Sequence, residues 1–176
     1  MWRDLLKIAA SDGAIWCAVS LSKRLLTLSA PVDFEVLSPF TIQPYLGNNS
    51  SCVIKISSQY GSILLTGDIE DPVEYRLTKH ASKKIKNDVL LIPHHGSRTS
   101  SSSEFIKLVN PKMAINSSGY ANQFNHPHPL IKQLYLDKDI EFYDTQDKGM
   151  IELLFNHNGI GIQQYSVTNH HFWQVD

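Results

Sequence analysis

What this sequence has little of narrows its reading before any motif is considered. Charge of one sign is missing: 16 Lys and Arg stand against 17 Asp and Glu, for a formal net charge of −1. A broad positive surface is therefore excluded, and a nucleic acid, if it is a partner, is held by local groups or a metal. Cysteine is scarce. Cys17 and Cys52 form no CxxC pair and have no histidine at ligand spacing, so no zinc knuckle is expected and both are read as buried packing thiols. Long apolar runs are absent too: nothing approaches the about 18–20 residues that span a bilayer. The opening stretch carries Asp4 and Asp12 where a signal peptide would have basic and then apolar residues. The chain as given is expected to be soluble. With no internal repeat or low-complexity linker, its 176 residues are read as one domain or part of one.

The first 31 residues carry the weakest pattern. Ile15 to Val19 and Val32 to Leu37 look like short strands, joined by a weakly amphipathic stretch over 22–28. Pro39, Pro44, Gly47, Asn48 and Asn49 mark a loop. Cys52 to Ile56 and Ser62 to Thr66 then read as a β-hairpin.

From Gly67 onward, helix and strand signals alternate. Asp71, Pro72 and Glu74 have capping-box spacing for a helix running to about Ser82. Val89 to Ile92 is an apolar run too short for a helix and suited to a strand buried on both faces. Ser101 and Glu104 repeat the capping signal for a helix through Val109, which Pro111 ends. A strand over Lys112 to Asn116, a helix over Pro129 to Leu136, a strand over Ile140 to Tyr143 and a hairpin from Gly149 to about Val167 complete the pattern. The order hairpin, β-α-β-α-β-α-β, hairpin predicts an α/β layered domain with a mixed sheet.

Three polar clusters each follow a strand: Thr66-Gly-Asp68, Pro93-His-His-Gly-Ser97 and Ser117-Ser-Gly119. Ligands of open α/β sheets bind beyond the carboxyl ends of strands, and neighbouring strands lie about 4.8 Å apart. Asp68 and one of His94 and His95 are thus expected to converge, as a carboxylate and an imidazole suited to a divalent metal. A turn or cap is the plainer role for Asp68, but Asp71 with Pro72 already supplies the cap. Periodicity does not choose between the two histidines, one of which would serve as general acid or hold the other in place. Ser97, Arg98, Thr99 and Ser100 bring hydroxyls, backbone N–H groups and a guanidinium to a helix start, a seat for phosphate, although simple capping explains them equally. His126, in a His-Pro-His-Pro run, is expected near the same face. His80, His157, His170 and His171 are read as surface or packing residues, and Phe172-Trp173 as a lid on the core.

Together, Asn49-Ser-Ser-Cys-Val53, Leu64-Leu-Thr-Gly-Asp-Ile-Glu70, Leu91-Ile-Pro-His-His-Gly-Ser97, Thr99-Ser-Ser101, Ser118-Gly-Tyr120 and Asn125-His-Pro127 resemble the metallo-β-lactamase-like domain at the C-terminal end of ComEC-type competence proteins. The likeness covers roughly residues 32 to 173. It implies the C-terminal half of an αββα sandwich with a mixed β-sheet, and a metal-dependent phosphodiesterase using Mn or Zn. It further implies a parent protein for DNA uptake, in which this domain degrades the non-transported strand at the periplasmic face of the inner membrane, beside a membrane channel portion. By position Asp68 ligates or bridges metals, and His94 or His95 completes the site.

One departure is large. The family's His-x-Asp-x-Asp-His cluster is absent from these 176 residues, so the chain is expected to be a partial domain, weakly active or inactive alone. Two other readings stand beside this one: a non-catalytic binding or structural remnant, and a metallo-β-lactamase-fold hydrolase of acyl or thioester substrates.

Overall fold

A computed structural model describes residues 31–41 and 44–165 in full, and the backbone of three short strands before them. Those strands are β1 (Ala10–Ser11) and β2 (Ala14–Ile15), which pair with each other, and β3 (Lys23–Leu26). The strand expected over Ile15 to Val19 lies largely outside the described residues, as do His170, His171 and Phe172-Trp173. The stretch read as amphipathic contributes β3 instead.

The main sheet has seven strands whose order in space follows their order in the chain: β3, β4 (Pro31–Ser38), β5 (Val53–Ser58), β6 (Gly61–Leu65), β7 (Val89–Leu91), β8 (Met113–Asn116) and β9 (Glu141–Asp144). Pairing is antiparallel from β3 to β6 and parallel from β6 to β9. The change of polarity comes where the connections lengthen. β5 and β6 share a tight turn, whereas α1 (Asp71–His80), α2 (Ser103–Val109) and α3 (Pro129–Leu136) carry the chain back between the later strands, because parallel neighbours need a crossover. The short α4 (Thr145–Lys148) and a hairpin of β10 (Ile151–Asn156) and β11 (Gly159–Gln164) follow. The domain is therefore α/β with a mixed sheet.

The pleat divides the core in two. Leu64, Leu90, Ala114 and Phe142 stand in register on adjacent strands and pack toward the helices with Val73, Leu77, Phe105 and Ile106. One residue along, Val89, Met113 and Ile115 face the other way and meet Leu153, Phe155 and Ile160 of the hairpin. This explains the uninterrupted apolar run of β7: its residues serve two cores, each Leu-sized burial contributing about 1.5–3 kcal/mol. In β10 and β11 burial alternates residue by residue, as it does when one face of a hairpin is covered.

The capping pattern differs from the sequence-based expectation. The N-cap of α1 is Glu70, with no side-chain cap bond. Glu74 turns away from its own helix, is fully buried, and accepts from the backbone N–H groups of Ser101 (2.6 Å) and Ser102 (2.8 Å) at the start of α2. Burial raises its pKa, while the bonds from Ser102 and Ser101 pull it back. Glu104 likewise caps nothing and pairs with Lys79 at 3.4 Å. Packing α1 against α2 brings a long carboxylate to N–H groups that lack partners in their own helix, and this outweighs the local box. Cys52 also departs from expectation: it is disulfide-bonded rather than a free thiol. Cys17, the sequence's other cysteine, lies outside the described residues.

Asp88 pins three strand starts together. It accepts from the amide and hydroxyl of Ser62, both at 3.0 Å, and pairs with Lys112 at 3.4 Å. Burial alone would raise its pKa, but the Ser62 bonds and Lys112 outweigh this and hold it below the ordinary 3.8. A depressed carboxylate stabilises the fold above its unfolded-state pKa, and that stabilisation is lost as pH falls through the folded value. The stability gap between wild type and Asp88→Asn should accordingly be full at neutral pH and shrink below about pH 4, as read by urea melts across pH. Glu74→Ala strands two buried N–H groups and should destabilise by about 2–4 kcal/mol at pH 7; a change under about 0.5 kcal/mol in the same melts would refute this role.

Candidate functional site

The three polar clusters lie beyond the carboxyl ends of β6, β7 and β8, and specific bonds draw them together. Thr66, fully buried, donates its hydroxyl to the Leu91 carbonyl at 2.7 Å. The His94 amide donates to the Gly67 carbonyl at 3.1 Å, and the Asp68 amide to Ser51 Oγ at 3.1 Å. Gly67 is required here: at φ +57° a Cβ would sit 2.9 Å from that of Ser51.

The Pro93–Gly96 segment is a single tight turn in which His94 and His95 both have left-handed backbones, φ 50° and 54°. Such conformations cost non-glycine residues of order 1–3 kcal/mol each and cluster at functional sites. The surroundings hold them in place. Ser97 N–H bonds the His94 carbonyl at 2.9 Å, and the buried Ser100 hydroxyl closes the turn on the Pro93 carbonyl at 2.9 Å. Gly96, at φ +77°, lies so close to Pro127 that a Cβ would come within 2.6 Å of it.

The two imidazoles are put to different uses. His95 Nδ1 donates to the Ser117 carbonyl, and its Nε2 faces Asp68 Oδ1 at 3.4 Å, with both side chains about half exposed. Once Nδ1 holds the ring proton, Nε2 and the carboxylate oxygen are both acceptors. Such a pair is mutually repulsive unless a second proton or a cation lies between them. His94 instead sits in a closed network. Its Nε2 meets the Asn48 side-chain amide at 3.2 Å, and its Nδ1 meets Thr99 Oγ1 at 3.2 Å and Glu70 Oε1 at 3.5 Å. Thr99 in turn donates to Glu70 at 3.0 Å, and Asn49 exchanges bonds of 3.1 Å with the Glu70 amide and carboxylate.

His126 completes the cluster. Its ring lies edge-on to His94 at 6.1 Å and stacks with Phe124 at 5.9 Å. Burial lowers its pKa, as do the positive potentials of His94, His95 and His128, and its Nδ1 is buried without a hydrogen-bond partner.

The structure thus brings together Asp68, His94, His95, Thr99 and His126. The helix start read as a phosphate seat is arranged differently. Glu74 occupies the N–H groups of Ser101 and Ser102, the Ser100 hydroxyl is spent inside the turn, and Ser97 is buried against Thr99. Arg98 remains exposed beside the histidines. Asn48, Asn49 and Glu70 were not singled out by sequence reasoning. Their only signal is position, within or beside the Asn49-to-Val53 and Leu64-to-Glu70 blocks, because their partners are distant in the chain. His80 packs edge-on to Phe40, and His157 is exposed in the β10–β11 turn. Neither approaches this cluster in any bond or ring contact among the described residues.

As a metal centre the donor set is short. Among the described residues no three His, Cys, Asp or Glu side chains are placed to hold one metal ion, whereas hydrolytic zinc sites generally use about three protein ligands. Asp68 and His95 offer a pair.

No family model matches the sequence. The chain is 32% identical over 143 residues to competence protein ComA of Neisseria gonorrhoeae, covering 81% of this chain and 20% of that protein. It is 38% identical over 130 residues to ComE operon protein 3 of Bacillus subtilis (74% and 16%) and 34% identical over 133 residues to recombination protein 2 of Haemophilus influenzae (76% and 16%). The chain therefore spans a fifth or less of these relatives.

Gly96→Ala forces both a left-handed backbone and a clash with Pro127, so it should destabilise by about 1–3 kcal/mol. It should also separate His95 from the Ser117 carbonyl, moving the His95 ring resonances in a histidine-selective NMR spectrum. Unmoved resonances would show that the turn does not depend on this glycine.

Proposed function

Since this chain belongs to the ComEC-type competence-protein family, we propose that it is one domain of a larger DNA-uptake protein, in which Asp68 and His95 furnish part of a metal-dependent phosphodiesterase site of metallo-β-lactamase type. The observation that carries this reading is the Asp68–His95 pair, two acceptor atoms held 3.4 Å apart at the tips of adjacent parallel strands. Mn²⁺ or Zn²⁺ between them would relieve the repulsion and supply Lewis-acid chemistry toward a phosphodiester. The described residues do not by themselves make a complete metal centre, so the remaining ligands are assigned to residues outside them. The parent's other parts would include a membrane channel, with this domain at the periplasmic face; no helix among the described residues is long and apolar enough to cross a membrane.

Each residue of the chain then has a task. Asp68 and His95 hold the cation. The Ser117 carbonyl orients His95 through its other nitrogen, as metal-binding histidines commonly require. Glu70, Thr99 and Asn48 fix His94 beside them, and Arg98 is free to make a charge-assisted bond to a phosphate oxygen.

The test is Mn²⁺-dependent cleavage of single-stranded DNA by the parent protein's intact domain. Asp68→Ala and His95→Ala should each lower the rate by more than the ~10–100-fold typical of outer partners, and His94→Ala should fall within that range. Unchanged cleavage in Asp68→Ala defeats the reading. The short donor set favours a second reading, in which this chain alone is a non-catalytic binding or structural module. Tight stoichiometric metal in the purified 176-residue chain would overturn that.

A further inference from the structure

We infer that the loop between β8 and α3 is a base-stacking platform for unpaired nucleic acid, with Tyr120 and Phe124 supplying the rings that seat nucleobases beside the Asp68–His95 pair. The inference rests on the reading of the site as one that acts on DNA. Tyr120 and Phe124, 86% and 68% exposed, are the two most open aromatic rings among the described residues, and they lie four positions apart in one loop.

The loop that carries them is braced. Asn122, midway between the rings, donates to the carbonyls of Gly119 (3.2 Å) and His126 (2.6 Å) and accepts from the His126 amide at 2.9 Å. Gln146 adds a bond to the His126 carbonyl at 3.3 Å. Two exposed rings are therefore presented by an ordered loop. Phe124 stacks with His126, whose ring is 6.1 Å from that of His94, so the platform is continuous with the site. Tyr45, 59% exposed, lies three residues before Asn48, which meets His94.

Charge argues for bases over backbone. A chain with a formal net charge of −1 offers little counterion release, so affinity must come from π-faces, which every unpaired base presents and a duplex hides. The rings project from a polar loop of Ser, Asn, Gln and His residues, which suits stacking with bases better than docking of an apolar protein segment.

The test is fluorescence anisotropy with the 176-residue chain in EDTA, using a labelled dodecathymidylate, the same backbone without bases, and a duplex. The base-bearing single strand should bind about tenfold or more tighter than the other two, with a log–log salt slope of about −1 or shallower. Tyr120→Ala and Phe124→Ala should each weaken binding about tenfold, Phe124→Trp should retain it, and His157→Ala, in the exposed β10–β11 turn, should leave it unchanged. Equal affinity for the abasic strand, ring variants that bind like wild type, or no binding by the wild-type chain would each overturn the platform. Because metal is absent from this assay, its failure is separable from failure of the hydrolysis reading, which the cleavage rates of Asp68→Ala decide.

Discussion

The site depends on the joining of the β6 and β7 tips. The Thr66 hydroxyl on the Leu91 carbonyl and the His94 amide on the Gly67 carbonyl satisfy backbone groups exposed where each strand leaves the sheet. They also bring a carboxylate and an imidazole from segments 27 residues apart in the chain, Asp68 and His95, to 3.4 Å. Parallel pairing is what permits this. Only parallel neighbours place both carboxyl ends on one edge of the sheet, and the antiparallel half, β3 to β6, leaves room for the Asn48–Asn49 loop to lie against the same edge.

Around that junction polar groups are partitioned by burial. Glu74, sealed between α1 and α2, uses its charge on two backbone amides and holds the start of α2 in place. That start leads directly from the turn bearing the histidines, so a structural carboxylate supports the candidate site without touching it. Ser97 and Ser100 stabilise the turn. Arg98, the exposed rings and the half-exposed Asp68–His95 pair face solvent.

Much of the fold was legible from pattern. The Pro129–Leu136 helix and the β5–β6 hairpin came from local signals, and the short apolar run Val89 to Ile92 marked β7 because its flanking turns leave no room for a helix. What failed was capping. Glu74 and Glu104 have the spacing of capping boxes but make other bonds, since a long side chain takes whatever unpaired donor tertiary packing brings within reach. Cys52 was misread for a related reason: no CxxC spacing announces its disulfide.

By itself the sequence determined the alternation of strands and helices, the two-sided burial of β7, the placing of Asp68 and the histidine pair just past successive strands and kinship with the competence family, all matters of local pattern and residue order. Only the tertiary structure decided that His95 rather than His94 meets Asp68, that Glu70 and Asn48 hold the other ring, and that the helix start, read as either a cap or a phosphate seat, has N–H groups taken by Glu74. These choices turn on the direction of side chains from left-handed residues and on bonds between residues more than 20 positions apart, which neither periodicity nor spacing encodes.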